Sequence, residues 1–216
     1  MRDFPIFTTE YGVSSLVLKE IPYKKEGYIH IRDVQAEFFG EHLAECVSFC
    51  RMCGAERIFA AGHGKLESFP LHTYILEMRG TAWSDRKELA SLFPVTEKTV
   101  ARWRTIYNDT VGKVDNSATL ESRDEKNILE SGGAYFVHEE GKLLGIGWLE
   151  DTKLLAVAAV ERGNGRRVMH TLMSVVEGKS MNLEVVSTNE RAIRLYEKLG
   201  FLKTAELRRW YRVFPE

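Results

Sequence analysis

The chain has 216 residues, 44% of them hydrophobic and 28% charged, which is enough apolar material for a packed core and too much for a disordered chain. Its formal net charge is −1 and its pI about 6.6, so no global electrostatic footprint marks it for nucleic acid or an anionic membrane. No run approaches the roughly 20 apolar residues of a membrane span, and the opening stretch MRDFPIFTTEYG lacks the apolar region of a signal peptide. The expectation is a soluble, cytoplasmic protein without a membrane partner.

In chain order, GVSSLVLKEIP and GYIHIRDV read as strands, the second by alternation of Tyr28, His30 and Arg32 against Ile29, Ile31 and Asp33. FGEHLAECVSFCRMCGA reads as a helix stopped by Gly54, and ERIFAAG and LHTYILEMRG as further strands. The order to residue 80 is β-β-α-β-β. The three cysteines, Cys46, Cys50 and Cys53, share the helix with His42. An odd, clustered count is not a secreted disulfide framework. One helix cannot wrap four such ligands around a tetrahedral ion, so they read as small core residues with no metal.

After Gly80, SDRKELASLF and TEKTVARWRTIYNDTV read as helices with Pro94 at the boundary, and a short helix is expected at residues 124–130. With Ala90, Val100, Trp103 and Arg104, the first two resemble a helix-turn-helix, whose second helix enters a major groove. Pro94 stands where that turn favours Gly. AYFVHEEGKLLGIGWLE reads as a hairpin turning at Glu140-Gly141. KLLAVAAV reads as a buried strand feeding the turn ERGNGRR and a helix through VMHTLMSVVEG. NLEVVS, NERAIRLYEKLG and KTAELRRWYRV complete the chain as strand, helix and strand.

The strand–turn–helix around Gly163, Asn164 and Gly165 suits a phosphate or pyrophosphate. Free N–H groups of a first helical turn and the helix dipole point that way, and Arg162, Arg166 and Arg167 add full charges. In the last helix, Ser187 and Glu190 fit a capping box, Gly200 fits a left-handed cap, and Tyr196 puts a phenol in the apolar stripe.

NERAIRLYEKLGF resembles the N-x-x-A-x-x-x-Y-x-x-x-G-F signature of GNAT-type N-acetyltransferases, with Asn189, Ala192, Tyr196, Gly200 and Phe201 at the matching positions. The resemblance covers roughly residues 84–216. It implies a mixed-sheet α/β fold of the GNAT acyltransferase type and acetyl transfer from acetyl-CoA to an amine by direct attack. It assigns acetyl-CoA to Val160, Arg162, Gly163, Asn164, Gly165, Arg166 and Arg167 of the turn, to Val157 and Ala158 before it, and to Asn189 and Tyr196. Tyr196 is the expected acid for the departing thiolate, an amide near Val157 or Ala158 the oxyanion donor, and Glu150 and Asp151 the candidate bases. The turn departs from the family's [QR]-x-x-G-x-[GA]. Counting from Arg162 places Arg167 at the last small position, and counting from Val160 keeps Gly163 and Gly165 but loses the leading residue.

The expected organisation is a GNAT domain at 81–216 with a smaller lobe at 1–80 packed against it. That lobe is read as a degenerate, truncated copy of the same unit. A CoA-binding module without catalysis and a DNA-binding regulator are the alternatives. No motif names the acceptor, a small-molecule or peptide amine, or an oligomeric state.

Overall fold

Alternating and uniformly apolar stretches form strands across a computed structural model that describes residues 5–214. The chain forms two compact units: one runs to Tyr74 and takes in the segment from Glu206 onward, and the other is Ile75–Ala205. It passes between them within β5 (Leu71–Thr81) and returns within β11 (Leu202–Phe214).

The first unit carries β1 (Ile6–Thr8), β2 (Gly12–Val17), α1 (Ile21–Lys24), β3 (Glu26–Val34), α2 (Phe39–Met52) and β4 (Arg57–Ala61). Its strand order is β1-β2-β3-β4-β11, with β3 and β4 parallel and the other pairs antiparallel. The β-β-α-β-β order expected to residue 80 is present, with β1 added and with α1 formed at Ile21–Lys24, where the first expected strand was to end. Alternation on β3 turns Ile29 and Ile31 toward α2, where they are buried with Leu43, Cys46 and Cys50. Gly54, just past α2, has φ 94°, the left-handed geometry a helix stop requires. His42 is fully buried. Its Nδ1 lies 2.8 Å from the Thr9 hydroxyl and its Nε2 2.8 Å from the Ser14 hydroxyl. Cys46 and Cys50 are core residues, while Cys53 is exposed.

The second unit holds β6 (Ser91–Pro94), α3 (Val100–Thr110), α4 (Glu125–Ser131), β7 (Ala134–Glu139), β8 (Lys142–Glu150), β9 (Lys153–Ala159), α5 (Gly165–Met173), β10 (Ser180–Val186) and α6 (Glu190–Lys198). Its strand order is β5-β10-β9-β8-β7-β6. Glu140 and Gly141 turn the β7–β8 hairpin with φ 48° and 79°, as a two-residue primed turn demands. At Gly147 a Cβ would lie 2.3 Å from Leu172, so only glycine lets α5 seat this close on β8.

One expected helix is absent. SDRKELASLF holds a single 3₁₀ turn at Arg86–Glu88 and then β6, which pairs Ser91–Pro94 with His138–Tyr135 of β7. A residue before proline is pushed out of the helical region, and an edge strand tolerates Pro94. With a strand in that place the helix-turn-helix reading fails. Val100 and Trp103 of its second helix are buried, the Trp103 indole donates to the Tyr135 carbonyl at 3.1 Å, and Arg104 pairs with Glu125 at 2.8 Å. Among the described residues no helix is long and apolar enough to cross a membrane.

The two faces of this unit's sheet carry different helices. Val157 and Ala159 of β9 pack with residues of α5 and α6, and Ala156 and Ala158 pack with residues of α3 and α4. The alternation follows from the two-residue period of a strand.

Candidate active site

β9 and β10 are parallel neighbours that pair only at Lys153↔Asn182 and Leu154↔Leu183. β10 is held along its other edge by β5, from Ser180↔Thr81 to Val186↔Ile75. β9 is held along its other edge by β8, up to Ala159↔Gly145. Past Leu154 the two strands therefore diverge, each on its own partner.

The cause is local. The β8–β9 register runs Glu150↔Lys153, Leu149↔Leu154 and then Trp148↔Ala156. Leu155 is an extra residue on β9, and a bulge of this kind bends the strand and sharpens its twist. It falls directly after the last β10 partner. Leu155 is 37% exposed and Val160 45%, so apolar side chains stand open at both ends of the divergent stretch.

The register also settles which amides face the opening. The Val160 amide donates to the Leu144 carbonyl at 2.9 Å. Direction alternates along an antiparallel ladder, so the Ala158 amide is turned to Ile146 of β8. The Val157 and Ala159 amides face the side that β10 has left. Of the two oxyanion donors expected from sequence, Val157 has this orientation and Ala158 does not.

The turn after β9 ends at α5. Gly163 has φ 100°, with open space where a Cβ would be. Asn164 is the N-cap, and its carbonyl accepts from the Val168 amide at 2.9 Å. The amides of Gly165, Arg166 and Arg167 have no intrahelical partner, as the first turn of any helix requires. Full charges are unequal here. Arg162 makes no ion pair among the described residues. Arg166 lies 3.9 Å from Glu88, and Arg167 is bound to Glu139 with Glu88 at 3.9 Å.

In α6, Asn189 rather than Ser187 is the cap. Its side chain accepts from the Ala192 amide at 3.2 Å, so this oxygen holds the helix start. Gly200 has φ 87°, the expected left-handed end. Tyr196 is buried, its ring 6.1 Å from that of Phe201. Desolvation pushes its phenol up to about 12, because burial disfavours the phenolate. α6 reaches the glycine turn through Leu195: a Cβ on Gly165 would lie 3.3 Å from its Cδ2.

Glu150 and Asp151 stand apart from this arrangement. Glu150 ends β8 and Asp151 begins the β8–β9 turn, both exposed at the paired end of β9, with Asp151 at φ 51°. At roughly 3.3 Å per residue, the length of β9 separates them from the glycine turn.

A strand pair that opens at a bulge, a glycine turn onto a helix start, and an Asn-capped helix carrying a buried Tyr form one constellation. Residues 100–201 match the model of the Acetyltransferase (GNAT) family. This segment belongs to the GNAT acetyltransferase family. Over 52 residues the chain is 40% identical to the N-alpha-acetyltransferase RimI of Mycobacterium tuberculosis, a match covering 24% of this chain and 33% of that protein. The chain thus spans about a third of that curated relative's length. Two solved structures share the GNAT fold over most of their length. One is an acetyltransferase of the GNAT family from Colwellia psychrerythraea, with TM-score 0.53 and 14% identity, covering 96% of this chain and 84% of that one. The other is a tandem GNAT protein from the clavulanic acid biosynthesis pathway, with TM-score 0.54 and 13% identity, covering 95% and 80%. At such identities the likeness is one of fold. Two features of this site have no sequence signal: the bulge at Leu155, inside the apolar run LLAVAAV, and the amide direction it sets.

Proposed function

We propose that the protein is an acetyl-CoA-dependent N-acetyltransferase that transfers acetyl directly to an amine. The observation that carries this reading is the β9–β10 pair, which opens after Leu154↔Leu183 and ends at a glycine turn with free helix amides. The residues suit the cofactor. The Gly165, Arg166 and Arg167 amides and the unpaired Arg162 match a diphosphate. Gly163 leaves backbone room for it, and the exposed Leu155 and Val160 match an apolar arm. When bound, acetyl-CoA supplies an activated acyl thioester.

The chain's own groups complete the chemistry. The Val157 amide is fixed toward the opening, where a developing oxyanion is stabilised by a preorganised donor. The Tyr196 phenol, pushed up to about 12, keeps its proton at neutral pH and is the group we assign to hand it to a departing thiolate. Glu150 and Asp151 are at the paired end of β9, so the proton leaving the amine goes to water or to another carboxylate.

The first unit is proposed to be a degenerate copy of the same element order. β2-β3-α2-β4-β5 parallels β8-β9-α5-β10-α6-β11 in sequence with the counterpart of α6 missing, and the fold likeness to a tandem GNAT protein supports the reading. Incubation with acetyl-CoA and a panel of amines tests the function. Transfer of acetyl to at least one amine supports it. A thermal shift with acetyl-CoA but no transfer to any amine points to the CoA-binding module, and no shift contradicts both.

A further inference from the structure

The segment between β5 and β6 crosses α5 as a strap, and both of its ends are pinned. The Ala82 amide donates to the Lys179 carbonyl and its carbonyl accepts from the Gly178 amide, each at 2.8 Å. At the other end the Ala90 amide donates to the Thr171 hydroxyl at 3.0 Å. The middle is held by a bond from the Asp85 amide to Nδ1 of His170, at 3.2 Å. The 3₁₀ turn that follows, Arg86–Glu88, packs on α5. It sets the Glu88 carboxylate 3.9 Å from both Arg166 and Arg167, two cations of the proposed diphosphate site. Arg166 has no other carboxylate partner among the described residues.

His170 is the point where the strap gives way. The ring is buried, and accepting at Nδ1 fixes its neutral form with the hydrogen on Nε2. That N–H is enclosed without a partner among the described residues, and so is the hydroxyl of Ser84, next to Asp85 in the chain. Enclosed polar groups without partners cost stability, and opening to water removes that cost. Trp83, 61% exposed, stands edge-on to the imidazole with ring centroids 6.0 Å apart. The charged groups around the ring are Asp85, Arg86, Lys87 and Glu88 on the strap, Arg166 and Arg167 one turn back on α5, and Glu177 and Lys179 near the pinned end at Ala82. β6 and the 3₁₀ turn Ser174–Val176 bring none, and β8 and β9 meet α5 through apolar residues.

Histidine is the side chain that ordinarily changes charge between pH 5 and 8. The proton that charges His170 enters at Nδ1, where it meets the Asp85 N–H, and two donors then oppose each other. The bonds at Ala82 and Ala90 involve no titrating group, so only the middle of the strap is lost. We propose that residues 83–89 form an acid-released strap: protonation of His170 frees the Asp85 amide, Glu88 leaves Arg166 and Arg167, and these arginines become available to the diphosphate of acetyl-CoA. The inference rests on the acetyl-CoA reading above.

The test measures acetyl-CoA affinity by calorimetric titration at pH 8 and pH 6 in the wild type, His170→Asn and Glu88→Gln. In parallel, nuclear magnetic resonance follows the His170 ring and the Asp85 amide of the free wild-type protein against pH. The wild type should bind about 3- to 5-fold more tightly at pH 6, the scale of one exposed ion pair released. His170→Asn keeps a side-chain acceptor that takes no proton, and should stay at the weaker affinity at both pH values. Glu88→Gln should stay at the tighter one. The Asp85 amide should shift in step with the His170 ring. A wild-type affinity that does not rise at pH 6 overturns the inference and leaves the acetyl-CoA reading intact. So does a rise shared in full by Glu88→Gln, which assigns it to other groups, and so does an Asp85 amide unmoved while His170 titrates. Absence of acetyl-CoA binding in all three proteins overturns both readings. The wild-type and Glu88→Gln measurements decide even where His170→Asn does not fold.

Discussion

The β3–β4 pair of the first unit and the β9–β10 pair of the second are both parallel neighbours joined through a helix, yet one is closed and the other open. β3 and β4 pair continuously from Glu26↔Arg57 to His30↔Ala61. β9 and β10 stop after Leu154↔Leu183. Each leading strand has a bulge. In β3 the register jumps from Ile31 to Asp33, past Arg32, beyond the last β4 partner, so the bend comes after the pair is complete. In β9 the extra residue, Leu155, follows the last β10 partner directly, and the rest of the strand is free to swing. The position of one inserted residue separates a pair that stays closed from one that opens. The links to the helices differ as well. β9 reaches α5 through Gly163, whereas β3 reaches α2 through Gln35 and a 3₁₀ turn at Ala36–Phe38. Only the second unit combines an opening with exposed helix amides.

Several changes break or sharpen this contrast. The largest effect is expected from Tyr196→Phe, which removes the proposed proton donor of the open pair. Turnover should fall by about 100-fold or more, in the range of general acid catalysis, with acetyl-CoA binding kept. An unchanged kcat would remove the phenol from the mechanism. Next is Gly163→Val. A β-branched residue at φ 100° costs about 1–3 kcal/mol in strain and distorts the turn. A calorimetric titration should show acetyl-CoA affinity reduced about tenfold or more. Arg162→Ala is smaller: loss of one exposed, unpaired cation should weaken binding about 3- to 5-fold at low salt and less at high salt. Arg51→Ala in the first unit should leave that affinity unchanged.

The smallest effect is on stability against pH. Burial raises the Cys46 thiol to about 11 and the Cys50 thiol to about 12 in the closed unit, and the Tyr196 phenol to about 12 in the open one. All three hold protons in the folded state at pH values where the unfolded chain releases them. Their stabilisation is complete below the unfolded values, near 9 for the thiols and 10 for the phenol, and is lost as pH rises through the folded ones. Tm should decline above about pH 9. Cys46→Ala with Cys50→Ala should flatten the early part of the decline, whatever its baseline cost, and a slope unmoved by the pair would assign it to other groups.

Much of this architecture is written in local pattern. The hairpin at Glu140-Gly141, the stops at Gly54 and Gly200, and the alternation of β3 are read from residues that permit few other backbones. The recognisable helix with Asn189 and Tyr196 marks the family. What pattern does not carry is competition between partners. Ser91–Phe93 reads in isolation as the end of a helix, and the free edge of β7 draws it, with Pro94, into a strand. LLAVAAV is apolar throughout, so nothing in it marks Leu155 as the inserted residue or separates the Val157 amide from that of Ala158.

The most direct measurement is site-resolved amide hydrogen exchange with and without acetyl-CoA. The account predicts that Val157, Ala159, Gly165, Arg166 and Arg167 exchange readily in the free protein and become protected on addition of acetyl-CoA, while the amides of β3 and β4 do not change. Ligand-independent protection of Val157 and Ala159, or acetyl-CoA-induced protection confined to β3 and β4, would contradict it.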